Sequence, residues 1–267
     1  MSKRIVILDN DQTTGDYDVF FKWLYWLESA HARHFVNLRI LLPNFVKIFE
    51  RSLIYRPGLK SFLQRLAQLK QEGKIDHVII YTNQTESNDT LRDINGLPIV
   101  IPQLLEMMYN MLAGYRLIDL RLCRPSGESV PTKTFSRVFD QLQIPKEHWT
   151  STKVLFFDDL LVDQNGLKGH VHVSDYRVLF DPSIFLRLCT ITCLSSSYQK
   201  SYKKDMQRHD INVARGITEV LETQLLRDVT EPYFRSLEVY GNPRHYGFSK
   251  YMDFVEKTFN DMPSIEV

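Results

Sequence analysis

The chain is poor in cysteine, has no long apolar run and carries no excess of charge of one sign. Its three cysteines, Cys123, Cys189 and Cys193, are an odd number without disulfide or zinc spacing. That excludes a small disulfide-stapled scaffold and fits a reducing compartment. A membrane-spanning helix needs about 20 consecutive apolar residues, and no such run is present. Lys and Arg number 33 against 32 Asp and Glu, for a net charge of +1. No global field therefore draws the chain to nucleic acid or to an anionic bilayer, so both partners are disfavoured. Repeats and low-complexity tracts are absent too. The first apolar run, Ile5 to Leu8, is too short for a secretory signal and leads straight into acids. Together these absences predict a soluble intracellular protein, cytoplasmic or nuclear, with no membrane partner.

What is present is a core-forming composition, 43% hydrophobic over 267 residues, enough for one large domain or two modest ones. KRIVILD, HVIIYTN and TKVLFFDD read as buried strands. Between them lie helical stretches. The aromatic segment from Val19 to Tyr55 is interrupted only by Pro43. Leu59, Phe62, Leu63, Leu66 and Leu69 mark one helix face, and Gly73 ends it. Pro102 to Leu112 and the face of Phe135, Val138, Phe139 and Leu142 follow, and VHVSDYRVLFDP suggests further strand. From about Ser195 the tail reads as helices packed on the core. Strands alternating with helices argue for a parallel sheet covered on both faces, with ligands at the carboxyl ends of the strands. Those ends carry Asp9 and Asp11, Thr82 and Asn83, and Asp158 and Asp159.

On a strand, residues i and i+2 share a side, so Asp9 and Asp11 are expected side by side. Two anions that close need a cation, a shared proton or solvent. Mg²⁺ suits an all-oxygen set and is often shared with phosphate. Asp9, Asp158 and Asp159 could hold it. One carboxylate would then be a nucleophile and another a general acid. Thr82 offers a hydroxyl to phosphate. Lys133 stands just before a helix, where a cation is unfavourable unless an anion is bound there.

The motifs resemble the haloacid dehalogenase superfamily of phosphohydrolases. ILDNDQT matches its first motif, VIIYT its second, PTKTF its third and VLFFDD its fourth, in the right order. Arg56, Pro57, Gly58, Leu59, Phe62 and Leu63 resemble the RPG segment of the branch typified by NLI-interacting-factor and small C-terminal-domain phosphatases. Asn10 and Gln12 stand where that branch carries Leu and Glu. The resemblance covers roughly residues 4–180.

It implies a Rossmann-like three-layer α/β sandwich over 1–194. From the residues themselves, 16–55 read as a helical insert or cap and 195–267, which has no counterpart in the resemblance, as a helical extension. The resemblance further implies that Asp9 attacks phosphorus and that Asp11 is acid, then base. Thr82, Asn83 and Lys133 would bind the phosphoryl group. Asp9, the Asp11 carbonyl and Asp158 or Asp159 would hold Mg²⁺. The implied partner is a phosphoserine or phosphothreonine protein. The alternatives are a small phosphomonoester, a polynucleotide end, or non-catalytic peptide binding on the same fold.

Other features read more plainly. His31 with His34 and His170 with His172 lack a third ligand. Asp163 is a metal ligand or part of a turn, and Arg124 a loop arginine. Lys200, Lys203, Lys204 and Arg208 make a solvated face. The aromatics of the insert, Phe20, Phe21, Trp23, Tyr25 and Trp26, read first as core. The segment leaves the site directly after the nucleophile strand, however. It is therefore expected to cover the site, with Trp23 or Tyr25 turned towards substrate.

Overall fold

In the computed structural model of the chain the described residues are 3–29, 36–85, 91–124, 133–160, 169–178, 182–195, 255 and 257. A parallel five-stranded sheet forms the centre, in the order β3-β2-β1-β4-β5. The strands are β1 (Arg4–Leu8), β2 (His77–Thr85), β3 (Leu120–Arg124), β4 (Lys153–Asp158) and β5 (His170–His172). Ile5 to Leu8 are wholly buried because β1 is central and covered on both faces.

Alternation along the strands sorts their side chains into two cores. Val6, Leu8, Val78, Ile80, Leu155 and Phe157 pack under α3 (Leu59–Gln71) and α4 (Ile101–Ala113). Ile5, Ile7, Ile79, Val154 and Phe156 pack under the short α5 (Phe135–Gln141). This is the expected α/β architecture, a helix–sheet–helix sandwich with an insert after β1.

The insert comprises α1 (Asp18–Ser29) and α2 (Leu38–Arg51). Both pack against α6 (Pro182–Ser195), and α2 also meets α4. Pro43 lies inside α2 without ending it. The insert's two ends meet at a narrow neck. Asp16 N–H donates to Ile54 O at 2.9 Å, and Arg56 N–H to Thr14 O at 2.9 Å. Gly15 is needed at this crossing, because a Cβ there would stand 2.6 Å from Ile54 O.

The LRLCR segment forms β3, which its broken apolar pattern does not announce. Of VHVSDYRVLFDP, Val171 and His172 are strand, and residues 173–178 run irregularly across the neck; residues 179–181 lie outside the described residues. The proposed extension 195–267 lies outside the described residues except for Ser195, Val255 and Lys257. Val255 is helical and wholly buried in the larger core. No helix among the described residues is long and apolar enough to cross a membrane.

Candidate functional site

The site forms where β1 and β4, paired in register from Arg4↔Lys153 to Leu8↔Phe157, end together. Asp9 N–H still donates to Phe157 O at 2.9 Å, which carries the ladder one residue further and sets Asp9 beside Asp158. Ligand oxygens of Asp9, Asp158 and Asp159 all lie within 4.8 Å of one another. Asp9 and Asp158 are buried and Asp159 is half-buried.

Lys133 enters this group from the segment before α5. Its Nζ lies 2.9 Å from Asp9 Oδ1 and 2.6 Å from Asp158 Oδ2, with the side chain 4% exposed. Burial works against the ammonium, but Asp9 and Asp158 outweigh it and hold its pKa above the usual value. The cation that looked misplaced beside a helix N-terminus therefore has its counter-ions, supplied by other strands.

Asp9 is pushed up to about 7. Burial is the main cause; Lys133 opposes it, and Asp158 and Asp159 add to it. Asp159 is raised as well, chiefly by burial. Three carboxylates against one ammonium leave a negative excess in a buried space, which a hard divalent cation would neutralise. The all-oxygen donor set and its spacing fit such an ion.

Thr13 locks the arrangement. Its Oγ1 accepts from Asp159 N–H at 2.9 Å and donates to Asp159 Oδ1 at 2.9 Å. Asp158 Oδ1 in turn accepts from Leu160 N–H at 2.8 Å. Both acids are thus oriented before any ligand arrives.

The three-acid cluster does not include Asp11; β1 ends at Leu8, and Asp11 bridges to Gly15 across a turn with Gln12 at φ 58°. The Asp11 carboxyl is pushed up to about 6 by burial first and then by Asp16, Asp18 and Asp159. A backbone hydrogen bond from Tyr17 works the other way.

Thr82 lies buried at the end of β2 and accepts from Gln84 N–H at 3.2 Å. The ladder to β3 slips between Tyr81 and Thr85, so Thr82 and half-buried Asn83 sit on an irregular strand end. Neither makes a hydrogen bond or ion pair with the acids among the described residues.

Arg56 was read from the sequence as part of a motif; its position gives it a job. It is 1% exposed, and its guanidinium donates to Thr13 O at 2.6 Å, Gln12 O at 2.7 Å and Ser174 O at 2.5 Å. Its plane also lies 5.0 Å from the centre of the Tyr176 ring. The acid-bearing turn is thereby tied to the neck of the insert and to the crossing segment. Nothing in the spacing of RPG signals this; the threonines after Asp11 were the only visible hint of Thr13.

His31, His34, Asp163, Lys200, Lys203, Lys204 and Arg208 lie outside the described residues. His172 Nε2 lies 3.1 Å from Asp159 O, whereas His170 packs edge-on against Phe156. Neither joins the acid group.

No family model, curated protein or solved structure matches the chain. The fold and the acid cluster are consistent with the haloacid dehalogenase superfamily in general and with a metal-assisted aspartyl-phosphate mechanism.

Proposed function

We propose that the chain is a Mg²⁺-dependent phosphohydrolase that works through an aspartyl-phosphate on Asp9. The observation that carries this reading is the acid trio at the ends of β1 and β4, two of whose members, the buried Asp9 and Asp158, are bridged by Lys133. A divalent ion held by Asp9, Asp158 and Asp159 would supply positive charge to the phosphoryl oxygens.

An Asp9 carboxylate oxygen forms a bond to phosphorus as the bond to the leaving oxygen breaks. The electron pair leaves with that oxygen, and Asp11 gives it a proton. Asp11 then takes a proton from water, the water oxygen bonds to phosphorus, and the Asp9–phosphorus bond breaks to release phosphate. A carboxyl raised to about 6 is partly protonated near neutral pH, which suits this exchange of roles. Lys133 has three donors and directs two at Asp9 and Asp158, leaving one for a phosphoryl oxygen. Thr82 and Asn83 are the further phosphate-binding candidates.

The RPG segment supports a phosphoserine or phosphothreonine protein as substrate. Gly58 takes the left-handed conformation, φ 83°, that opens α3, and Arg56 holds the acid turn. The test is hydrolysis of a generic aryl phosphate by the full chain with and without Mg²⁺, followed by a phosphopeptide series. Mg²⁺-dependent turnover that Asp9→Asn abolishes is expected. Turnover by folded Asp9→Asn near the wild-type rate would reject the nucleophile.

A further inference from the structure

A second polar cluster is enclosed against the acid turn. It joins Thr14 of the turn, Tyr17 at the root of the insert and Tyr109 of α4, all wholly buried. Tyr109 Oη lies 2.5 Å from Thr14 Oγ1 and 2.8 Å from Tyr17 Oη. Thr14 Oγ1 donates to the carbonyl oxygen of Asn10 at 2.7 Å.

Each hydroxyl has one proton, so these contacts have a direction. Thr14 has given its proton to Asn10 O, so the Thr14–Tyr109 contact uses the proton of Tyr109. The Tyr109–Tyr17 contact then uses the proton of Tyr17. Tyr17 Oη also lies 3.2 Å from Thr14 Oγ1, so the three hydroxyls close a triangle whose protons are directed towards Thr14 and through it to the Asn10 carbonyl, and each bond polarises the next.

That carbonyl is served twice, since Thr14 N–H also donates to it at 3.0 Å. The Asn10 side chain is served poorly. Its Nδ2 is buried without a partner among the described residues, and its Oδ1 has only a 3.3 Å contact with Tyr109 Oη. The cluster is therefore arranged around the backbone of Asn10, the residue joining Asp9 to Asp11. That peptide is trans, so the Asp11 N–H points away from the Asn10 carbonyl and its hydroxyls. No backbone carbonyl takes that N–H among the described residues.

We propose that Tyr109 and Thr14 are positioning residues for the reaction. They hold the peptide between the two acids in one orientation, and through Tyr17 they make that orientation depend on how the insert is seated. The proposal rests on the phosphohydrolase reading above.

The test uses the full chain carrying Thr14→Val, Thr14→Ser, Tyr109→Phe, Tyr17→Phe and the Thr14→Val/Tyr109→Phe pair. Aryl phosphate turnover, inorganic phosphate binding by calorimetry and melting temperature are measured. Thr14→Val and Tyr109→Phe should each lower kcat by about tenfold or more with KM changed far less, because they disturb geometry rather than occupancy. Thr14→Ser should restore the rate, and the pair should be no worse than either single change, as members of one chain. Tyr17→Phe should show a smaller loss in the same direction.

Folded Thr14→Val and Tyr109→Phe with wild-type kcat would overturn the positioning role and leave the phosphohydrolase reading intact. So would a Thr14→Ser variant as impaired as Thr14→Val. A wild type that binds phosphate without turnover overturns the phosphohydrolase reading, and the positioning role with it. A wild type that neither turns over nor binds phosphate overturns both.

Discussion

The ammonium of Lys133 sits 2.6 Å from Asp158 Oδ2, and Asp158 is wholly buried. Removing one partner of a buried ion pair leaves the other charge unpaired, typically at about 3 kcal/mol or more. Lys133→Met keeps much of the stem's bulk, so its effect reports charge more than packing. It should destabilise the metal-free protein by about that amount in denaturant titration. Mg²⁺ should recover part of the loss by neutralising the same carboxylates. Unchanged stability in Lys133→Met would show that the acids are not held as a charged set.

The acids also set a pH dependence. Asp9 rises from 3.8 to about 7 and Asp11 from 3.8 to about 6 in the folded chain. Between those values the folded state keeps protons that the unfolded state has released. Stability must therefore fall as pH rises through this window. Lys133, held above its usual value of 10.5, titrates outside it. The melting temperature of the metal-free protein should decline from mildly acid to neutral pH. Asp9→Asn should flatten much of that slope, because the amide does not titrate. Added Mg²⁺ should raise the melting temperature most at the neutral end, where the ligands ionise readily. Asp158→Ala with Asp159→Ala should erase that rise; an identical rise in the double variant would place the ion elsewhere.

Arg56 is the joint between the acid turn and the insert. Its guanidinium serves the carbonyls of Gln12, Thr13 and Ser174 at once, a geometry that an ammonium cannot reproduce. Arg56→Lys should cost about 2 kcal/mol or more of stability through lost charge-assisted hydrogen bonds. It should also lower kcat, since Thr13 orients Asp159. A lysine variant of wild-type stability and rate would reduce Arg56 to a dispensable contact.

The central strands were legible because each is a short, continuous apolar run, the pattern of strands buried on both faces. β3 was not, because Arg121 and Arg124 interrupt an edge strand that needs only one buried side. The acid trio was legible from strand ends in series. The surroundings of Asp11 were not legible, because the sequence does not show that β1 stops at Leu8 and the chain turns through Gln12. Thr14, Tyr17 and Tyr109 could not be seen as a group, since three separate elements bring them together. Tyr109 in particular reads as one more apolar position on the buried face of α4.

Trp23 tests what the insert does. Its side chain is wholly buried, stacked on Phe20 at 5.3 Å and edge-on to Phe45 at 5.0 Å, and its Nε1 donates to Thr192 Oγ1 at 2.9 Å. A ring held by α2 and α6 in this way is not available to a substrate. Trp23→Ala should open a cavity and leave Thr192 Oγ1 without that donor, at about 3–5 kcal/mol. Trp23→Phe keeps most of the ring and removes the N–H, so about 1 kcal/mol is expected, as for one hydrogen bond. With the protein kept folded, neither change should alter the ratio of rates between an aryl phosphate and a phosphopeptide. A shift in that ratio for Trp23→Phe, without loss of stability, would mean that the insert reads the substrate through this ring. Unchanged ratios would restrict any covering role of residues 16–55 to side chains other than Trp23.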